Sequence, residues 1–440
     1  MKYLKKICLL CVLILSMMLG TVTAGAAGLD SSAGLDVIIV VDNSGSMKHT
    51  DTEKIALEAA KLFVDMMETT GSRVGVVPFS HELGTIVNLT TINSSADKDV
   101  VKQAISGMVY DGDTDIGIAI QKAVEMLTTA GDVGNKKLVL FFTDGAIDLP
   151  QASDEAAAEA ASRAQADAAT STAAAAGIPI YTIGLNANGN VDTELIQKMS
   201  SDTVGKNYIV DDSENLPDIF NEIFAYFIES TIVDVGNVTI QDSDTYESIN
   251  FNIPNASVME ANIVMLSTAR LSDVALVDPN GATLAVDNQK VLLSISDEYS
   301  MLKIFTPQEG NWTLQIKGQQ GCQVHVNLLF NYKVVLKASA AENPDGSGAM
   351  VSAYLEDKGV ALTEDALYSQ FTKTVARVSR TDGTVTEYPM TYADGTLTCN
   401  VPVAAGENVT ITAYAESSTM YRESDPINFG IAAAVAPDPA

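Results

Sequence analysis

The sequence predicts an α/β domain, with a Rossmann-like, mostly parallel sheet flanked by helices, followed by two small β-sandwich domains. Apolar strands alternate with helical segments up to about Ser230, and short strands separated by turns follow. The sequence pattern changes again near "NPDGSG", which indicates a further domain boundary. A chain of 440 residues also exceeds what one hydrophobic core accommodates. The predicted domains are residues 35–230, 231–335 and 336–430, with a linker-like tail at 431–440.

The first predicted domain contains six apolar-rich strand segments, as expected for strands that are covered on both faces. In chain order they are "DVIIVV", "RVGVVPFS", "GTIVNLT", "KKLVLFFT", "IPIYTIGL" and "NYIV". Helices are predicted over residues 52–67, 97–108, 115–127, 153–176, 193–199 and 212–229. We expect Ser153 to cap the alanine-rich helix and Gly177 to end it.

The two following domains are predicted from strands that turns separate. "DVALVDPNGATLAV" and "NWTLQIKG" are typical of the first sandwich, where we expect Trp312 to lie in the core. "VTEYPMTYADGTLTCNVPV" and "NVTITAYAES" indicate an Ig-like or fibronectin-like sandwich after it. A pattern of short strands indicates a fold but not a function, so we expect both sandwich domains to serve as a spacer or stalk.

The first 26 residues have the form of a secretory signal peptide. Three lysines precede an apolar run from Ile7 to Leu19, and small residues follow in "TVTAGAAG", where cleavage after Ala24 or Ala26 is expected. An uncleaved membrane anchor is the alternative, which the shortness of the run disfavours. No later segment has the roughly 18 apolar residues of a transmembrane span, so we expect a mature chain without one, secreted to the exterior or held at the cell surface.

The cysteines and the charge of the mature chain limit its chemistry. Loss of the leader leaves only Cys322 and Cys399, which we expect in separate domains as two buried thiols, although an oxidising compartment permits a bridge. The formal net charge is −30, and it becomes about −33 without the three leader lysines. Because such a surface repels phosphate, we expect no nucleic acid partner.

Polar side chains that could bind a cation lie in three separate loops of the first domain. Asp42, Ser44 and Ser46 come directly after the first strand, Thr114 lies in a loop ahead of a helix, and Asp144 follows the core strand "KKLVLFFT". Taken singly, each is more often a turn or a helix cap. Because loops at the carboxyl ends of parallel strands meet at one edge of a sheet, we expect all five residues to converge. Hydroxyls and carboxylates without His or Cys indicate a site for Mg²⁺, Mn²⁺ or Ca²⁺.

The segments "DNSGSM", "GDTDIG" and "FTDG" resemble the three parts of the metal-ion-dependent adhesion site (MIDAS) of von Willebrand factor A domains. The resemblance covers about 195 residues from Leu35, in the expected order. It implies that Ser44 and Ser46 bind the cation directly, and that Thr114 does so once a ligand is bound. It also implies that Asp42 and Asp144 act mostly through water. Asp113 and Asp115, which flank Thr114, are expected to be solvated, the alternative being that they tune the site.

The resemblance leaves one coordination position for a partner, and elementary electrostatics indicates which kind. Neutral hydroxyls leave most of the divalent charge uncancelled, so the cation attracts an anionic oxygen. The expected partner is therefore a protein that presents an Asp or Glu carboxylate. The long-range repulsion between this acidic chain and an acidic partner is screened within about 8 Å at physiological salt.

Catalytic motifs are missing from the sequence. Its histidines are His49, His81 and His325, and the "HE" at 81–82 is followed by Thr85 where a zinc-protease helix needs histidine. There is no G-x-S-x-G elbow and no Walker phosphate loop. We therefore expect adhesion or protein binding rather than catalysis. The alternatives are a scaffold subunit of an envelope or pilus-type assembly and, least favoured, a metal-dependent hydrolase.

Overall fold

The computed structural model describes residues 34–69, 71–130, 134–255, 258–287, 289–332, 334–357 and 359–432. The predicted signal peptide, residues 1–26, lies outside the described residues, as does most of the predicted tail. Within the described ranges, no helix is both long enough and apolar enough to span a membrane.

Six strands of the first domain form one sheet in the order β3-β2-β1-β4-β5-β6. Neighbouring strands are parallel except β2 and β3, which are antiparallel. The strands are β1 (Leu35–Asp42), β2 (Arg73–Phe79), β3 (Val87–Thr91), β4 (Lys136–Thr143), β5 (Ile180–Leu185) and β6 (Asn207–Val210). The strand order reverses between β1 and β4, where open α/β sheets form a crevice at the carboxyl ends of their strands.

Helices cover both faces of this sheet because alternate strand residues point to opposite sides. Val37 and Ile39 of β1 pack toward α2, α3 and α7, whereas Ile38 and Val40 pack toward α4, α5 and α6. The helices are α1 (Met47–Thr50), α2 (Ile55–Met66), α3 (Ser95–Ser106), α4 (Ile116–Thr129), α5 (Glu155–Ala175), α6 (Thr193–Asp202) and α7 (Leu216–Phe227). The predicted α/β fold class is therefore confirmed.

Local capping sets helix ends that the sequence pattern places only approximately. Ser153 does not cap the alanine-rich helix α5: the cap is Asp154, whose Oδ1 accepts a 3.1 Å bond from the Ala157 amide. Gly177 ends that helix as predicted, with a φ of +65° that suits glycine. Asp115 is not simply solvated, because it caps α4 by accepting a 3.3 Å bond from the Ile118 amide.

The first sandwich consists of two antiparallel sheets, β11-β10-β14-β8 and β12-β13-β9-β15-β7. Trp312 is 3% exposed and stacks on Phe251, which confirms its predicted core position. The strands are β7 (Val233–Thr239), β8 (Glu247–Ile253), β9 (Glu260–Ser267), β10 (Leu271–Val277), β11 (Thr283–Leu284), β12 (Val291–Ile295), β13 (Tyr299–Phe305), β14 (Gly310–Gly318) and β15 (Gln323–Asn331).

The second sandwich also has two antiparallel sheets, β16-β17-β22-β21 with β18 paired to β17, and β20-β19-β23-β24 with β25 paired to β23. The short helix α8 (Asp365–Tyr368) lies between β18 and β19. The strands are β16 (Val335–Glu342), β17 (Gly348–Asp357), β18 (Val360–Ala361), β19 (Lys373–Arg380), β20 (Val385–Pro389), β21 (Thr391–Ala393), β22 (Thr396–Pro402), β23 (Asn408–Glu416), β24 (Tyr421–Glu423) and β25 (Ile427–Gly430).

The two predicted thiols are free and lie in different sandwiches. Cys322 is buried just before β15, as expected. Cys399 on β22 is only half-buried, which corrects the expectation of full burial. Partial burial raises the pKa of the Cys399 thiol to about 11, so it is a thiol rather than a thiolate at neutral pH.

A joint in which all three domains meet is centred on Arg422 of β24. Its side chain is buried and donates hydrogen bonds to four backbone carbonyls, those of Glu229, Tyr332, Val334 and Tyr421. Glu229 follows the last helix of the α/β domain, and Tyr332 and Val334 connect the two sandwiches. A single guanidinium therefore satisfies carbonyls from both interdomain connections.

Candidate metal centre

Three loops meet at the carboxyl edge of the first sheet, and backbone hydrogen bonds join them. The Gly45 amide donates to the Gly112 carbonyl at 2.8 Å, which ties the first loop to the second. Thr114 and Asp148 exchange two backbone bonds of 2.9 and 3.0 Å, which tie the second loop to the third. The topology therefore brings together residues that are about 70 and 100 positions apart in the chain, through the crevice expected where strand order reverses.

Asp42 ends β1 and is fully buried. Its Oδ1 accepts a 2.8 Å bond from the Ser44 amide, and its Oδ2 accepts a 2.6 Å bond from the Thr143 hydroxyl. Burial, reinforced by the nearby charge of Asp144, raises the pKa of the Asp42 carboxyl to about 6. Two buried, mutually repelling carboxylates thus lie at the carboxyl ends of the neighbouring strands β1 and β4.

Asp144 follows β4 directly and is also fully buried. The Ser46 hydroxyl donates to its Oδ1 at 2.7 Å, and the Thr50 hydroxyl donates to its Oδ2. Burial raises the pKa of the Asp144 carboxyl. Asp144 is therefore held by two hydroxyls and Asp42 by one hydroxyl and one backbone amide, and no basic side chain is among the partners described for either carboxylate.

The serine hydroxyls lie beside these carboxylates. Ser44 Oγ and Ser46 Oγ are 3.1 Å apart, which is close enough for one small cation to contact both. Thr114 is 5% exposed, and a methyl group added to Gly145, the residue after Asp144, would lie 3.9 Å from its Oγ1. The structure therefore brings Asp42, Ser44, Ser46 and Asp144 into one hydrogen-bonded group and places Thr114 next to it.

The donor set suits a hard divalent cation. Four of the five residues are at least 95% buried, namely Asp42, Ser44, Thr114 and Asp144, and they offer only oxygen atoms. Two like-charged buried carboxylates without a basic partner are costly in a cation-free protein, and a divalent ion would relieve that repulsion. The residues present therefore fit Mg²⁺, Mn²⁺ or Ca²⁺.

Two residues at this edge were missed by the sequence analysis. Thr143 is the last residue of β4 and orients Asp42, and Thr50 ends α1 and binds Asp144. Thr143 directly precedes Asp144 in "FFTDG", so its position was a usable signal. Thr50 had no such signal, because the short helix α1 that turns it back toward Asp144 was not predicted.

A second acidic group lies near the same edge. Carboxylate oxygens of Asp148, Glu155 and Glu159 lie within 4.8 Å of one another, but the first two residues are exposed. Exposed acidic groups of this kind are common on protein surfaces, so this group is no part of the candidate centre.

Comparison with known proteins gives one family match, within the first domain. Residues 36–222 match the family model of the von Willebrand factor type A domain, a family whose members often bind a divalent cation. A search of curated protein sequences found no match.

Solved structures match this chain at low sequence identity and low TM-score. They include a von Willebrand factor type A protein from Catenulispora acidiphila (17% identity, 75% of this chain and 64% of that chain, TM-score 0.36). The vWF domain of the type V pili tip protein Mfa5 from Porphyromonas gingivalis is another (16% identity, 44% of this chain and 95% of that chain, TM-score 0.34). A third is the pilus adhesin SpaC from Lactobacillus rhamnosus GG (12% identity, 90% of this chain and 57% of that chain, TM-score 0.38). This chain thus spans less than two thirds of the first and third of these proteins.

Proposed function

We propose that the von Willebrand factor type A domain of this chain binds a protein ligand through a divalent cation held by Asp42, Ser44, Ser46, Thr114 and Asp144. The observation that supports the proposal is the pair of buried carboxylates, Asp42 and Asp144, whose described partners are hydroxyls and one backbone amide, with no basic side chain among them. A cation bound there would supply a strong electrophile for an anionic oxygen of the partner.

The five residues would have two different roles, as direct ligands of the cation or as residues that orient those ligands. Ser44 and Ser46 would contact the ion directly, with Thr114 joining them when a ligand is present. Asp42 and Asp144 would act mostly through water and keep the hydroxyls oriented. Because the direct protein ligands are neutral, the ion would retain the charge that attracts a partner's Asp or Glu carboxylate.

The proposed setting is outside the cell, on the basis of the predicted leader sequence. We propose a secreted or surface-held chain in which the two sandwiches act as a stalk for the metal-binding domain. The domain would not act as an enzyme, since the oxygen atoms at the edge are committed to holding the cation and its water. A hydrolase would require a separately positioned base.

A metal titration tests the first half of this proposal. Mn²⁺ should bind the wild-type chain with one site per molecule in calorimetry, and Asp42→Ala should abolish that heat while the circular dichroism spectrum stays unchanged. The matched control is Glu194→Ala, which removes an exposed carboxylate from α6 on the same domain. Equal Mn²⁺ binding by wild type and Asp42→Ala would contradict the proposal.

A capture experiment tests the second half. Immobilised wild-type chain should retain protein ligands from cell-surface or matrix extracts in Mg²⁺ and release them in EDTA, whereas Asp42→Ala should retain none. Retention of one fixed partner from the producing cell's own envelope would favour the scaffold alternative. Metal-dependent turnover of a substrate that is lost in Asp144→Asn would favour the hydrolase.

A further inference from the structure

Helix α2 is buried on all sides, which is unusual for a helix at the surface of an α/β domain. Every one of its residues except Lys61 is buried. One side packs on the first sheet. The other side is covered by the first sandwich, whose Val264, Tyr299, Met301 and Leu329 belong to the same apolar cluster as α2. The sandwich therefore completes the environment of this helix.

The carboxyl-terminal end of α2 is held by two buried lysines. Lys98 of α3 donates to the carbonyls of Asp65 and Met67 at 2.6 and 2.5 Å. Lys303 of the first sandwich is fully buried and donates to the carbonyls of Met66 and Met67 at 2.8 and 3.1 Å. The two amino groups satisfy carbonyls at the end of the helix that lack helical partners.

Further polar contacts from the sandwich fix α2 along its length. The Tyr299 hydroxyl donates to Asp65 Oδ2 at 2.7 Å, and the Ser296 hydroxyl donates to Glu58. Glu260 accepts a 3.0 Å bond from Lys303 and so orients the ammonium group. Because these contacts are directional, the sandwich contributes to fixing where α2 lies along its own axis.

The amino-terminal end of the same helix is joined to the metal-site loops. Asp51 accepts bonds from the amides of Ile55 and Ala56 at 2.7 and 3.1 Å and another from the Tyr110 hydroxyl at 2.7 Å. One residue before it, Thr50 donates to Asp144. Asp51 therefore ties the start of α2 to the segment that carries Ser46 and Thr50.

We propose that Lys303 and Tyr299 of the first sandwich are positioning residues for the metal centre, and that they act through α2 over about 18 Å. This inference rests on the proposed function. Mg²⁺ requires oxygen ligands at about 2.0–2.1 Å in near-ideal geometry, so a small axial displacement of α2 would move Ser46 and Thr50 relative to Asp144 and weaken the site. The sandwich is then part of the binding module and more than a spacer.

The test is Mn²⁺ affinity of the full chain, measured by calorimetry where all variants are folded. We expect Lys303→Met to weaken Mn²⁺ binding about threefold to tenfold, and Tyr299→Phe, which removes only one hydroxyl, about twofold. Lys290→Met, an exposed lysine of the same sandwich, should bind as wild type. Arg422→Met controls for loss of stability elsewhere and should also leave the affinity unchanged.

A second measurement distinguishes energetic coupling between the metal centre and the sandwich residues from a purely structural role of those residues. Binding free energies are reciprocal, so Mn²⁺ should slow amide hydrogen exchange at residues 66–68 in the wild type and do so less in Tyr299→Phe. If Lys303→Met does not fold, Tyr299→Phe carries the test. Equal affinities and equal exchange in wild type and variants would overturn this inference alone. Failure of the wild type to bind Mn²⁺ would overturn the proposed function as well.

Discussion

The hydroxyl of Thr143 donates a 2.6 Å hydrogen bond to Asp42 Oδ2 between the neighbouring strands β4 and β1, where the strand order of the sheet reverses. Both residues are fully buried. The other carboxylate oxygen of Asp42 is occupied by the Ser44 amide, so this side chain has a fixed orientation. The centre is therefore organised by residues that need not touch the cation.

Thr143→Val tests the importance of that orientation. Valine keeps the shape of threonine but cannot donate a hydrogen bond, so a buried carboxylate oxygen loses its partner. We expect Mn²⁺ affinity to fall about tenfold, equivalent to about 1.4 kcal/mol, in a calorimetric titration. Thr143→Ser restores the hydroxyl and should restore binding. Full affinity in the valine variant would show that Asp42 needs no support from β4.

The stabilising effect of metal should depend on pH in a definite direction. Burial and the charge of Asp144 raise the pKa of Asp42 from 3.8 to about 6, so the cation-free fold is penalised by this carboxylate above about pH 6 and relieved as pH falls toward 4. A cation requires the ionised form. The rise in Tm caused by Mn²⁺ should therefore be larger at about pH 7.5 than at about pH 5. Thermal scans with Mn²⁺ or EDTA measure it, and an equal rise at both values would refute the assignment.

Asp42→Asn should separate stability from metal binding. The substitution removes one of two buried like charges, so metal-free Asp42→Asn should be more stable than metal-free wild type at about pH 7.5, by on the order of 1–2 kcal/mol. It should gain little from Mn²⁺, so the order of stabilities reverses when the metal is added. Denaturant unfolding in EDTA and in Mn²⁺ provides the comparison. A metal-free variant that is less stable than wild type would mean that the hydrogen bonds to Asp42 outweigh the charge repulsion.

Arg422→Met should loosen the joint between the domains. Four backbone carbonyls lose their donor, two of them in the connection between the sandwiches and one after the α/β domain. We expect the free energy of unfolding to fall by about 3 kcal/mol and cleavage near residues 229–231 and 332–335 to become faster in limited proteolysis. Lys290→Met serves as the surface control. Unchanged proteolysis would show that the connections are held without Arg422.

Much of the first domain could be predicted from the sequence because local signals agree there. The strands that became β1, β2, β4 and β5 are apolar-rich, and α5 is rich in alanine, so periodicity and propensity indicate the same elements. Their order predicts a parallel sheet, and that in turn places Asp42 and Asp144 at one edge. Helix ends were less certain, because Ser153 and Asp154 are equally good caps and only the folded backbone decides between them.

The sequence by itself predicted the five oxygen donors, since they lie in loops that the predicted sheet topology brings to one edge. Only the tertiary structure decided what supports them. Thr50 reaches Asp144 through a four-residue helix with no sequence signal, and Lys303 reaches the end of α2 from a strand some 235 residues away. Such contacts join surfaces of separately folded elements, and no local pattern in the chain records which surfaces will meet.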